Sequence, residues 1–220
     1  MAVAIGSKVR PEFTSDYGRV ACFARRGAQL FFVTCDHVVK AYSGHPDQGP
    51  IPMHAPDESG EPTCGVYGGD SLIEPPDRFE GDLAMVRIRD TPGDPGVLPP
   101  GGPASQVARI ALPVPGESVL VWSGRWGSFL PARVVAVPSS QSLPHPRYGP
   151  MPFPLQFSAE LADPSRLPQH GDSGGPMLRP DGALVGVFQV GFDAPPTGPC
   201  LVYGVPLSLA FADLGVVLLA

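Results

Sequence analysis

Apolar residues along this chain recur in short runs bounded by turn-forming residues. The runs are RVACFA, QLFFVTC, LAMVRI, VARIAL, SVLVW, ARVVAV, LQFSAEL, PMLRP, ALVGVFQV and CLVYGVPL. Valine, phenylalanine and leucine dominate them, which is strand rather than helix chemistry. RRGAQ and Pro180-Asp181-Gly182 read as hairpin turns between such strands. Helical periodicity is weak. PLSLAFADLG is the best helical candidate, and DLGVVLLA at the end reads as a terminal core strand. The pattern predicts an all-β chain.

Two breaks interrupt the strands. Residues 91–105, TPGDPGVLPPGGPAS, read as a linker between two β units, one spanning 1–100 and the other 101–220. Residues 138–154, PSSQSLPHPRYGPMPFP, read as a long irregular surface loop near the working face, and as a mobile element.

Composition narrows the function. With 220 residues there is ample material for a buried core. The 27 glycines and 30 prolines cluster between the apolar runs, so they mark loops rather than low complexity. A net charge of −6 with no long basic block argues against nucleic-acid binding. MAVAIGSKVR lacks the basic start and apolar core of an export signal, and no run is long enough to span a membrane. A cytoplasmic setting is therefore expected, with Cys22, Cys35, Cys64 and Cys200 reduced. No CxxC pair supports a metal site beside Cys35 and His37, and no cofactor or metal is expected.

The candidate chemistry lies in PQHGDSGGPML, residues 168–178. Its bland reading is a glycine-rich turn. Gly171-Asp172-Ser173-Gly174-Gly175 also fits the G-x-S-x-G elbow of α/β hydrolases, in which a histidine follows the serine. Here all five histidines (His37, His45, His54, His145 and His170) precede Ser173. The opposite order needs an upstream base and acid. FFVTCDHVV offers His37 at the end of an apolar strand, and EGDLAMVRI offers Asp82 at the mouth of another. A serine hydroxyl needs a base within reach, and that base needs an acid to orient it and balance its developing charge. Asp70 and Asp77 compete for the acid's role. Asp36 abuts His37 but points away if that segment is extended.

TCDHVV, GDLAMVRI and GDSGGP, in that order, resemble the three triad segments of the chymotrypsin-like (trypsin-like) serine proteases, bacterial type. LQFSAEL before the serine and LVGVFQVGF after it resemble the strands that flank the nucleophile loop. The resemblance covers roughly residues 15 to 210. It implies two six-stranded antiparallel β-barrels with the active site between them. His37 would be the base, Asp82 the orienting acid and Ser173 the nucleophile, with the Gly171 and Ser173 N–H groups as oxyanion hole. Leu167, His170, Gln189, Val190 and Gly191 would bind substrate, with Leu167 at the base of the primary pocket. A leucine there implies cleavage after apolar or small residues rather than Arg or Lys.

The chain departs from the digestive members in lacking an Ile-Val-Gly-Gly start to pair with Asp172. An internal cation is expected instead, with Arg125, Arg133, Arg147 and Arg166 as candidates. Family members often bridge the strands beside the histidine; Cys35, two residues before His37, leaves a Cys22–Cys35 disulfide open. The expected function is a serine endopeptidase acting on a protein or peptide, with a separate regulatory partner in view. The alternatives are a latent protease-fold module that binds a peptide or protein partner, and an acyl hydrolase using the same triad.

Overall fold

Strands form where most of the apolar runs lie, and further ones form where glycine and proline hide the pattern. The computed structural model of the chain describes residues 3–40, 50–55, 63–74, 78–88, 94–139, 141–145, 148–191 and 199–220. In the first half, β1 is Lys8–Pro11, β2 Gly18–Arg19, β3 Cys22–Arg26 and β4 Gln29–Thr34. A helical turn, α1, is Asp36–Val39, followed by β5 Ile51–His54, β6 Thr63–Glu74 and β7 Arg78–Ile88. In the second half, β8 is Ser118–Ser123, β9 Ser128–Ala136, β10 Ser142–His145, β11 Gly149–Pro152 and β12 Phe157–Leu161. Then come β13 Pro176–Leu178, β14 Leu184–Gly191, β15 Leu201–Pro206, helix α2 Leu207–Leu214 and β16 Val217–Leu219.

Two β units result. One is an eight-stranded sheet in the order β16-β3-β4-β7-β6-β5-β1-β2. The other is a closed barrel, β12-β15-β14-β13-β8-β9. The second unit therefore closes with the expected six strands, whereas the first is an open, curled sheet. The tail crosses back: β16 pairs with β3 through Val217–Arg25 and Leu219–Phe23, as an edge strand rather than a core strand. One apolar cluster runs from Phe23, Phe32 and Met85 of the sheet to Leu184, Val187 and Val205 of the barrel. The cleft between the units thus rests on a shared core.

Local chemistry explains the elements. The RRGAQ turn joins β3 to β4, with Arg26 opposite Gln29 and Gly27 at φ +60°. PDG turns β13 into β14. The helix predicted in PLSLAFADLG is α2, stopped by Gly215 in the left-handed conformation. VARIAL is not a strand: Ile110 makes only an isolated bridge to Leu184. Residues 94–105 lie between β7 and β8 and belong to no named strand or helix, and residues 91–93 lie outside the described residues.

The 138–154 segment is not an irregular loop. β10 and β11 form a two-stranded hairpin, pairing Leu143 with Met151 and His145 with Gly149. Its prolines fall in the alternate pairs, Pro144 with Pro150 and Ser142 with Pro152. Antiparallel pairs alternate between those that exchange N–H bonds and those that do not. The residues that lack an N–H occupy the second kind, so the ladder survives them. Leu143, Met151 and Phe153 bury against Ile73 and Tyr203, which seats the hairpin on both units.

Phe157 fills the barrel centre with no exposed surface, beside Gly186 and Gly204. Phe157→Ala is expected to cost about 3–5 kcal/mol of unfolding free energy. Equilibrium denaturation with urea checks this.

Candidate active site

His37 stands in a helical turn rather than on an extended strand. After β4 the chain bends at Cys35, and Lys40 N–H donates to Asp36 O at 2.8 Å to close the turn. The first N–H groups of such a turn have no acceptor within it. Asp82, buried in the middle of β7, supplies one. Its Oδ1 accepts from His37 N–H at 2.9 Å, and its Oδ2 lies 2.5 Å from His37 Nδ1. The carboxylate therefore fixes both the backbone and the ring, leaving Nε2 as the far ring nitrogen. The ring keeps 23% of its side-chain exposure, while Asp82 keeps 6%.

Charge sets the titration of the pair. Burial disfavours the imidazolium, but the Asp82 charge, its hydrogen bond and the Asp36 charge outweigh that and raise the His37 pKa. Burial likewise opposes Asp82 ionisation, but the His37 charge and hydrogen bonds hold its pKa low. Asp82 is the carboxylate that meets His37. Asp70 instead pairs with Arg26 at 2.5 Å, and Asp77 lies outside the described residues. Asp36 is not on an extended segment as expected. Its buried carboxylate still turns to other partners: Lys40 Nζ at 2.9 Å and Ser71 Oγ at 2.5 Å.

Ser173 sits on a loop tied down by its neighbour. Asp172 is 2% exposed, and its carboxylate accepts from Ser123 Oγ at 2.5 Å, Gly124 N at 2.8 Å and Gln169 N at 3.0 Å. Its cation is Arg19, with Nε 4.0 Å from Oδ1, rather than Arg125, Arg133 or Arg166. Arg125 and Arg166 bond instead to Gln169 and Ser128, Arg133 donates to Gly116 O, and Arg147 lies outside the described residues. Arg19 also donates to Gly171 O at 3.2 Å, and its own N–H to Ser173 O at 2.7 Å. A residue of the first sheet thereby grips the loop of the second unit.

Two glycines let the loop lie this close. Gly174 has φ +88°, and a Cβ there would stand 2.3 Å from Arg19 O and from Thr34 Oγ1. Gly171 has φ +91°, and a Cβ would meet the Tyr17 ring at 2.4 Å. The loop amides divide into two sets. Asp172, Gly174 and Gly175 donate to Gln169 O, Phe188 O and Asp172 O respectively. Gly171 and Ser173 donate to no acceptor among the described residues.

Ser173 Oγ donates to Gln189 O at 2.8 Å, and among the described residues no hydrogen bond joins it to His37. Both side chains nevertheless line one cleft of ≈ 240 Å³ together with Asp82, His170, Gln189, Val190 and Gly191. Leu167 is not among the residues lining that cleft. It packs, partly buried, against the barrel core, while Pro168 and Gln169 occupy the wall in its place. The hairpin contributes Leu143 and Pro144 to the same cleft.

No protein-family model matches the chain, and no curated protein sequence matches it. Solved structures do. A glutamic acid-specific serine protease described as using a histidine triad in substrate binding superposes with a TM-score of 0.71 at 19% identity, over 99% of this chain and 100% of its own. Chymotrypsin from Cellulomonas bogoriensis gives 0.67 at 19% identity, covering 100% of this chain and 99% of its own. Protease A from Thermobifida fusca gives 0.64 at 19% identity over the whole of both chains. This chain has the chymotrypsin-like fold.

Within the chymotrypsin-like fold the remaining sequence candidates fall away from the cleft or at its rim. His54 ends β5 opposite Arg10, so a strand does position it, outside the cleft. His45 lies outside the described residues. His170 is exposed, 3.4 Å from Asp16. Cys22 and Cys35 are not bridged. Cys35 instead donates its thiol to Phe188 O at 3.2 Å, and burial, with Asp82 and Asp36 nearby, holds that thiol protonated. Cys35, His37 and Asp82 each bring a donor atom within 4.8 Å of the others. That cluster follows from the packing around His37, since His37 and Asp82 already satisfy each other.

Gly174→Ala tests the loop's close approach. Left-handed strain and overpacking together are expected to cost about 2–4 kcal/mol. Chemical denaturation of the purified variant reads the loss.

Proposed function

We propose that the chain is a serine endopeptidase in which His37, Asp82 and Ser173 form the triad. The observation that carries this reading is the double hold of Asp82 on His37 in a cleft that Ser173 shares. Asp82 orients the ring through Nδ1, so Nε2 is the nitrogen that takes the proton from Ser173 Oγ. The hydroxyl then attacks the peptide carbonyl carbon, and His37 returns the proton to the leaving amine. An acyl-enzyme forms and water hydrolyses it by the reverse proton path. The unengaged N–H groups of Gly171 and Ser173 hold the oxyanion, each donor contributing roughly 3 kcal/mol to the barrier reduction.

Before attack, Ser173 leaves Gln189 O by rotation about its side-chain bond, a movement between staggered wells. Catalytic hydrogen bonds commonly tighten only once substrate is bound. The residue before the scissile bond is apolar or small. Among the described residues lining the cleft the sole acid is Asp82, and His37 already engages it, so no carboxylate is left to pair with Arg or Lys.

A second reading has its own observation. The Ser173–Gln189 bond is what a latent module that binds a peptide or a regulatory partner would keep. A cytoplasmic setting, in which the four buried cysteines stay thiols, is part of either reading.

Turnover of a peptide library by the wild type and by Ser173→Ala separates the two. The endopeptidase reading expects cleavage after apolar or small residues, lost in the variant. No cleavage, or cleavage mainly after Arg or Lys, counts against it. The base must be neutral to accept a proton, and its pKa is raised, so activity falls as pH drops through a midpoint above the ordinary imidazole value of about 6.5. Asp82→Asn is expected to move that midpoint down and to lower kcat by about 10³–10⁴-fold. A pH profile of kcat/KM for both proteins reads the shift.

A further inference from the structure

Asp36 carries a buried negative charge that the triad does not use. It has no exposed surface and begins the turn that presents His37. Oδ1 is held by Ser71 and Lys40, and Oδ2 lies 3.3 Å from His145 Nε2. Lys40 is anchored in turn, donating to Ile73 O at 3.1 Å. His145 comes from β10, in the barrel half of the chain, and its side chain is 1% exposed. Its ring stacks on Tyr148 with centroids 4.8 Å apart, and Nδ1 accepts from Tyr148 N–H at 3.4 Å. These contacts select one ring state. Nδ1 is an acceptor, so Nε2 carries the proton and faces the carboxylate at ion-pair distance, without the alignment of a hydrogen bond.

The next two residues toward the N-terminus, Pro144 and Leu143, line the cleft with His37 and Asp82. The hairpin is otherwise held by an apolar patch, which favours contact without specifying direction. A ring N–H beside a buried carboxylate adds a polar tie at one point, because moving it away leaves the charge with less compensation. We propose that Asp36 and His145 are positioning residues: their buried contact pins the hairpin that walls the peptide cleft to the turn that carries His37. This rests on the endopeptidase reading and adds how a peptide's extended side is held. The wall reaches the substrate away from the reacting atoms, so losing it weakens ground-state and transition-state binding alike.

Removing His145 leaves Asp36 with Ser71 and Lys40, so the turn itself persists. His145→Ala is therefore expected to raise KM about tenfold for a peptide with four residues before the scissile bond, with kcat within about twofold. A single-residue ester, which does not reach the wall, changes by less than about twofold on the same reasoning. His145→Gln, whose amide N–H reaches toward Asp36, recovers most of the loss, whereas His145→Asn, too short to do so, does not. Equal losses on both substrates, or a rescue by Asn as full as by Gln, overturn the proposal. Amide exchange by NMR supplies a readout that needs no turnover. In His145→Asn the Leu143 and Met151 amides exchange at least about tenfold faster than in the wild type, with Val187 and Val205 unchanged. Unchanged exchange at Leu143 and Met151 overturns the clamp, whether or not the chain cleaves peptides.

Discussion

The buried carboxylate of Asp172 is the constraint on which the rest of the site depends. It is taken out of water in a loop that has little apolar material of its own. Three donors and the Arg19 guanidinium compensate it. A buried charge is tolerated only when paired and hydrogen-bonded. Here the partners come from both sides of the cleft: Ser123 and Gly124 from the barrel, Arg19 from the open sheet. Satisfying one charge therefore brings the two units into register at the position of Ser173. Gly171 and Gly174 make that register close, because each turns where a side chain would strike Tyr17, Arg19 or Thr34.

The other half of the site is organised by a second buried carboxylate. Asp82 meets the open N–H of a helical turn and the ring of the same residue, so one side chain sets both position and tautomer. A third carboxylate, Asp36, is one residue from His37 yet is compensated by Lys40 and Ser71. Its charge raises the affinity of His37 for a proton without competing for the ring. Ser173 faces a carbonyl of β14 rather than His37. The cleft wall and Ser173 thus draw on the same strand, since Gln189, Val190 and Gly191 also line the cleft.

Much of this was legible in the sequence, and the reasons differ by element. The strands around His37, Asp82 and Ser173 are continuous apolar runs, so periodicity and turn residues marked them. His37, Asp82 and Ser173 lie beside those runs in three compact segments, which is why their order could be read. β6 was hidden because Gly65, Gly68 and Gly69 break its pattern, although pairing with β7 holds it. The hairpin was hidden because proline normally ends strands, and only the register shows that its prolines avoid the donor positions. Arg19 could not be chosen over the other arginines, since its bond to the Asp172 loop spans the whole first unit. Asp36 was taken as part of an extended segment, and the turn that begins there became visible only in the backbone. Leu167 was placed by counting back from the serine. The bend at Pro168 and Gln169 turns it toward the barrel core instead.

If His37 and Ser173, brought from separate units, act on each other in the folded chain, Ser173 is an activated nucleophile. Labelling with a fluorophosphonate probe, read by intact mass, reports that activation. One adduct on Ser173 is expected in the wild type, and none in Ser173→Ala or His37→Ala. A wild type that stays unlabelled, or a His37→Ala protein that labels as fast as the wild type, would contradict it.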